Sequence, residues 1–294
     1  MQLNPSDKTS AWINLRYFRM AIGFFVLLRS ITLFFEVSSQ LGPAAWIPVD
    51  YFKAAPGFDI SHFTLYSLCS NEFCTYVLVI VTLASAVMMF FERTAKAGTF
   101  LALVLMLSFL KRSNILAAAL DRMAVQFLYL LCWAYLLAWL APALNFRRET
   151  SDAIIKKLIQ LQICFIYLGA AWGKVNSDSW LSGDAFRILT QYTALVPGYI
   201  LRYNSLLQTL SPLLCYLGMG FLLTFPFLVH IKKTRLVVLL LGVAFHGCIF
   251  IIFGNLKLVS VLLVSTYTIF LSTNEIAWLK SRVLKRFNKI EVSR

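Results

Sequence analysis

Long apolar runs broken by short basic stretches set the pattern of this chain. Runs near 17–37, 75–92, 97–110, 123–144, 157–173, 206–229, 236–253 and 256–273 hold few charges. A helix needs about 20 mostly apolar residues to cross the hydrocarbon core of a bilayer, so each run predicts a spanning helix. The third is short, and only Gly254 and Asn255 separate the last two, so the count is seven or eight. The fold class expected is all-α integral membrane: a polytopic bundle of about eight transmembrane helices with interfacial or re-entrant outer segments. It occupies 1–273, and 274–294 form a basic cytoplasmic tail. The long connections 38–74 and 175–205 are too apolar for simple solvated loops. Residues 44–68, with Trp46, Tyr51, Phe52, Phe58, Phe63 and Tyr66, predict segments lying at the outer membrane face.

Composition sharpens this picture. Of 294 residues, 60% are hydrophobic and 14% charged, where a soluble domain carries about 25% charged residues. A water-soluble globular enzyme is excluded. The net charge of +14, from 27 Lys and Arg against 13 Asp and Glu, does not call for nucleic acid as a partner. With the amino terminus inside, the bases fall mainly on inner segments: Lys8 and Arg16, Arg93 and Lys96, Arg147 to Lys157, Lys232 to Arg235, and the tail. The first outer loop instead holds Asp50, Asp59 and Glu72 against Lys53. This is the positive-inside bias, and it places both termini in the cytoplasm with the lipid bilayer as the main partner. No cleavable signal peptide is evident, since Met1 to Arg16 is polar and no small-residue cleavage site follows.

The exceptions to the charge rule carry the candidate chemistry. Lys111, Arg112, Arg122, Lys174, Arg187, Arg202 and Lys257 fall on the outer side, with Asp121, Asp178 and Asp184 among them. They either pair with those carboxylates or line an anion-attracting site. Arg29 and Glu36 lie two turns apart on one helical face, which favours a structural ion pair. Arg19 lies in the same span, and both arginines are expected to help hold the bundle. His246 sits in the middle of a very apolar run, so it is either a neutral imidazole bonded to another helix or a functional group. Asp121 either forms a salt bridge, for example with Arg112, or orients a base.

The segment LQICFIYLGAAWGKVNSDSWLSG (161–183) is the densest. Gly169 and Gly173 form a GxxxG, which lets another helix approach closely. Lys174 follows at the outer end of the span. In an apolar pocket desolvation disfavours ammonium, and such a lysine serves as a general base; otherwise it snorkels to the headgroups. Cys69 and Cys74 sit close together in a polar loop, as a local disulfide if that loop is extracytoplasmic or as two free thiols. The other four cysteines are scattered in apolar runs. Phosphate-binding GxxxxGK[ST], dinucleotide-binding GxGxxG and GxSxG motifs are absent, and His62, His230 and His246 lack metal-ligand spacing, so no metal is expected.

In their order and spacing, these features resemble the HTTM family, the membrane domain shared with vitamin K-dependent gamma-carboxylase and with SdpB-type proteins that help mature a secreted toxin peptide. The likeness runs from Phe18-Arg19-Met20-Ala21-Ile22-Gly23 through Asp121, Tyr167-Leu168-Gly169, Lys174 and Trp180-Leu181-Ser182-Gly183 to His246 within FHGCIFIIFGNL. The resemblance implies an outward-facing intramembrane site acting on a quinone-like lipid-soluble cofactor, a secreted peptide precursor, or both. Lys174 would be the base, with Asp121 and His246 orienting substrate. Trp180, Gly183, Arg112 and Arg122 would contact or shape the substrate pocket. It also implies a bacterial cytoplasmic membrane, a Cys69–Cys74 arrangement like that of SdpB-type proteins, and a separate soluble subunit in place of the carboxylase's lumenal domain. A transporter or channel, and a non-catalytic assembly or immunity partner, are the other classes the sequence admits.

Overall fold

Among the residues described by the computed structural model (5–41, 45, 64–69, 71–112, 119–143, 147–189, 191, 204–253, 256–272, 274–278 and 281), eight helices have ten residues or more and no strand occurs. They are α1 Pro5–Phe35, α2 Glu72–Met88, α3 Ala95–Arg112, α4 Ala119–Leu140, α5 Arg148–Val175, α6 Ser211–Leu228, α7 Arg235–Ile252 and α8 Lys257–Thr266. Five segments are long and apolar enough to cross a bilayer: Ala11–Phe35, Leu120–Leu140, Arg148–Val175, Ser211–Leu228 and Arg235–Ile252. Glu72–Met88 and Lys257–Ile269 are apolar but shorter. Several helices overrun their apolar runs; α5 begins at Arg148 rather than near 157. The apolar run marks only what lipid must cover, whereas backbone hydrogen bonding continues through the polar flank.

Polar contacts fix how the helices alternate. Near the start of α1, Arg16 pairs with Glu92 just beyond α2 (Nη1–Oε1 3.0 Å). Near its end, Arg29 pairs with Asp121 at the start of α4. Both neighbours therefore run antiparallel to α1. We call the end where α1 begins the near end and the other the far end. α1 lies at the centre, against α2, α4, α5 and α8. Phe18, Ile22, Phe25 and Val26 on α1 join Phe127 and Leu128 of α4 and Ile159 and Ile163 of α5 in the buried core.

Every buried polar group in such a core needs a partner, because no water is at hand. Side-chain hydroxyls meet this demand within their own helices: Ser30 donates to the Val26 carbonyl (2.7 Å), Thr82 to Leu78 (2.8 Å) and Thr99 to Ala95 (2.8 Å). The carbonyls left over where α8 ends are met by amides. Asn14 Nδ2 donates to those of Thr268 (2.6 Å) and Leu271 (2.8 Å), and Gln160 Nε2 to that of Ile269 (3.0 Å). The outer surface is the reverse: Phe35, Phe73, Trp139, Trp172, Phe227 and Leu240 are all largely exposed. A surface so rich in large exposed apolar side chains needs an apolar environment to cover it.

The 65–68 part of the expected interfacial or re-entrant stretch is a single helical turn packed against the bundle. Leu65 N–H donates to Ser108 Oγ of α3 (2.7 Å), and Tyr66 is 1% exposed within the core. Trp46, Tyr51, Phe52, Phe58 and Phe63 lie outside the described residues, as do Asp50, Lys53, Asp59, His62, Arg202, Gly254, Asn255 and tail residues 282–294. Cys69 and Cys74 are joined by a disulfide with Cα atoms 5.3 Å apart. It closes the approach to α2, whose first turn is capped by Asn71 Oδ1 accepting from Cys74 N–H (2.9 Å).

A buried ion pair joins α1 and α4. Arg29 donates from Nε to Asp121 Oδ1 (2.9 Å) and from Nη2 to Oδ2 (3.3 Å), a two-pronged geometry. Glu36 lies farther from the guanidinium (3.7 Å), and the Phe109 ring lies 5.1 Å from it. Asp121 has no exposed surface, so removing Arg29 leaves a buried carboxylate without its main partner. Arg29→Met and Asp121→Leu should each cost about 3–5 kcal/mol of stability in detergent, and the double replacement much less than their sum. Unfolding midpoints unchanged in the single variants would contradict this role.

Candidate functional site

α5, α6, α7 and α8 enclose a cavity of about 340 Å³ toward the far end. That lies at the lower end of the range of small-molecule sites, about 300–1,000 Å³. α5 contributes Ile166, Tyr167, Ala170 and Lys174, one face of a helix at intervals of three to four residues. α6 contributes Gly218 and Leu222, α7 contributes Phe245, His246, Ile249 and Phe253, and α8 contributes Val259 and Leu263. Two short helices, Asp178–Leu181 and Ala185–Leu189, close the far end with Trp180, Phe186 and Leu189. The lining is apolar except at its two extremes.

At the inner extreme three polar groups form a chain. Tyr167 Oη lies 2.7 Å from His246 Nε2 and 2.5 Å from Tyr267 Oη. Gly242 makes this convergence fit, since a Cβ there would overlap the Tyr267 hydroxyl. Phe225 stacks on Tyr167 with ring centroids 4.1 Å apart and fixes the phenol. His246 is 3% exposed, and its Nδ1 has no hydrogen-bond partner among the described residues. A buried, unsatisfied ring nitrogen on a residue that lines a cavity is a ready contact for a bound polar group.

At the other extreme stands Lys174, two helical turns along α5 from Tyr167, about 10 Å by the helical rise. Its Nζ lies 4.6 Å from the centre of the Trp180 ring, and it makes no ion pair among the described residues. Trp180 is held from below. Gly183 has φ of +83°, a backbone shape open to glycine, and a Cβ there would come within 2.7 Å of Pro212 Cα. Ser211 Oγ donates to the Gly183 carbonyl (2.5 Å) and accepts from Arg187 N–H (3.1 Å), and Tyr216 Oη donates to the Leu181 carbonyl (2.8 Å). The turn that carries Trp180 is thereby fastened to α6.

Of the residues expected at a site, Lys174, His246 and Trp180 come together in this cavity, and Gly183 seats one of its walls. Asp121 does not orient a substrate here, because its carboxylate is taken up by Arg29 on another part of the bundle. Arg112 and Arg122 do not line the cavity; Arg112 is buried at the end of α3. Arg187 pairs with Asp184 (2.9 Å). Among the described far-end bases, Lys174 is the one that lines this cavity. Gly169 and Gly173 have nothing within 4 Å of a built Cβ, so among the described residues no helix approaches that face: α1, α4 and α6 pack on the others. Among the described residues no group of three metal-ligating side chains occurs.

Tyr167, Tyr267 and Gly242 are site residues that sequence reasoning missed. Tyrosines in apolar helices are common, and only the i, i+7 spacing of Tyr167 and Lys174 hints that they share a face. No known family model, curated protein or solved structure matches the chain.

Tyr167→Phe would strip His246 Nε2 and Tyr267 Oη of their shared partner, at a cost of about 1–3 kcal/mol. Gly242→Ala would displace Tyr267 by overpacking, at about 1–3 kcal/mol. Thermal unfolding in detergent measures both, and wild-type midpoints in both variants would rule out the chain as a structural unit.

Proposed function

We propose that this chain is an HTTM-type integral membrane protein of about eight spans. Its cavity takes a lipid-soluble molecule carrying a weakly acidic hydroxyl, of the quinone and hydroquinone class, and Lys174 accepts that hydroxyl's proton. The observation that carries the reading is the meeting of His246 of α7 with Lys174 and Trp180 of the 161–183 segment around one apolar cavity. The charge bias along the sequence supports both termini on the cytoplasmic side. The Cys69–Cys74 disulfide supports an oxidising compartment at the far end and, with it, an outward-facing cavity.

The residues fit such a molecule. Apolar walls from Ile166, Leu222, Phe245 and Ile249 would hold its body, and the unpartnered His246 Nδ1 answers an oxygen at the inner extreme. A quinone-class molecule bound there would supply redox chemistry that no side chain offers. Lys174 Nζ, at the edge of an apolar lining and without an ion pair among the described residues, takes the proton through its lone pair and becomes ammonium, which the Trp180 face stabilises. Tyr167 holds the His246 ring, and Tyr267 completes the chain behind it. The cover formed by Trp180 and Phe186 (ring centroids 5.7 Å apart) limits water at the reacting hydroxyl. A secreted peptide precursor would be the further substrate presented at this face, with a separate soluble partner supplying the peptide-gripping surface.

The test uses the full chain in nanodiscs with menadione and its reduced form. Menadione should quench tryptophan fluorescence saturably, with the saturable part reduced in Trp180→Phe and affinity weakened about tenfold in His246→Ala. Oxidation of the reduced form by oxygen should be faster than in protein-free nanodiscs. Lys174→Met should remove at least about a hundredfold of that acceleration while still binding menadione. Absence of saturable quenching, or undiminished acceleration in Lys174→Met, would overturn the proposal.

A further inference from the structure

A second pocket lies at the near end, away from the cavity, where α1, α4 and α5 meet. Trp12, Leu15, Arg16 and Arg19 of α1 line it with Leu131, Ala134, Tyr135 and Ala138 of α4 and Arg148 and Asp152 of α5. Its volume, about 20 Å³, has room for one oxygen-sized atom. Arg19 is 3% exposed, and only its Nη1 finds a partner, Tyr135 Oη at 3.5 Å. Its Nε and Nη2 are buried without a hydrogen-bond partner among the described residues. A buried guanidinium with two unmet donors is costly in any protein core, and most of all where lipid replaces water.

The surroundings show what would meet those donors. Arg148 stands over the Trp12 ring at 5.3 Å, and Arg16 is held by Glu92. Asp152 is the carboxylate in the pocket lining, against three guanidinium groups. Glu92 answers Arg16, and Glu149 lies beside Asp152 and Arg148 at the rim, so among the described residues no carboxylate is bonded to Arg19 Nε or Nη2. The planar forks of arginine match phosphate oxygens in pairs. Trp12 and the largely exposed Trp139 mark the depth at which interfacial aromatic side chains sit beside lipid headgroups.

We propose that this pocket is a phosphate site: one phosphate oxygen enters it against Arg19 Nε and Nη2, while Arg148 and Arg16 hold the others from the rim. The phosphate belongs either to an anionic lipid headgroup, whose chains would lie along the apolar surface of α4, or to free phosphate. The site is independent of the cavity at the far end, so its test stands whatever binds there.

The experiment is native mass spectrometry of the full chain released from micelles containing equal phosphatidylglycerol and phosphatidylcholine, with a parallel lipid-free sample in inorganic phosphate. Retained phosphatidylglycerol should exceed phosphatidylcholine by at least about fivefold and fall about fivefold in Arg148→Gln and further in Arg19→Met. Lys233→Gln, which removes a charge from an exposed position at the same end, should leave it unchanged. Phosphate adducts lost in Arg148→Gln, with no preference between lipids, would assign the site to free phosphate. Arg148 is exposed, so its variant remains informative if Arg19→Met fails to fold. Neither lipid preference nor phosphate adducts, or losses in Arg148→Gln no larger than in Lys233→Gln, would overturn the proposal.

Discussion

A polar atom inside this bundle has no water to turn to, and that constraint organises the structure. Most buried donors and acceptors are matched locally, by hydroxyls on their own helix carbonyls or by the amides of Asn14 and Gln160 on the loose end of α8. The charged exception on α1 and α4 is matched across helices, with Arg29 gripping Asp121 by two bonds. Buried groups left unmatched then stand out. Two of these residues, His246 and Arg19, each line a pocket.

The cavity gains its character from how its polar groups are spaced. Lys174 and Tyr167 lie on one face of α5, two turns apart, so the helix itself sets the separation between the amine and the phenol. α7 brings His246 to the phenol, and the absence of a side chain at Gly242 lets Tyr267 of the 267–269 turn reach the same point. The result is an apolar chamber with one basic group near its cover and one hydrogen-bonding ring at its inner extreme. An elongated, mostly apolar molecule with oxygens at its ends matches both.

The all-α class and the apolar helices were legible from run length and charge, because insertion into lipid imposes a pattern that needs no tertiary knowledge. Lys174 and His246 were legible for the same reason: a charged or ring-polar residue in an apolar run demands an explanation. What the sequence could not convey was partnership. Asp121 reads equally well as an orienting group or a salt bridge, and only the approach of Arg29, 92 positions away, decides it. Gly169 and Gly173 carry the spacing of a helix contact yet face outward, since spacing shows that a close approach is permitted and not that a helix is there. The role of Tyr267 depends on a gap left by a glycine on another helix, which leaves no local trace.

The account rests on the chamber between α5, α6, α7 and α8 being the place where a lipid-soluble molecule binds. Photolabelling of the full chain in nanodiscs with an azido-naphthoquinone, followed by peptide mapping, addresses this most directly. The account predicts label concentrated on Ile166–Lys174 of α5 and Phe245–Ile249 of α7, and displaced by excess menadione. Label spread over lipid-facing residues such as Phe100, Phe227 and Leu240, with no displaceable fraction at the chamber, would contradict it.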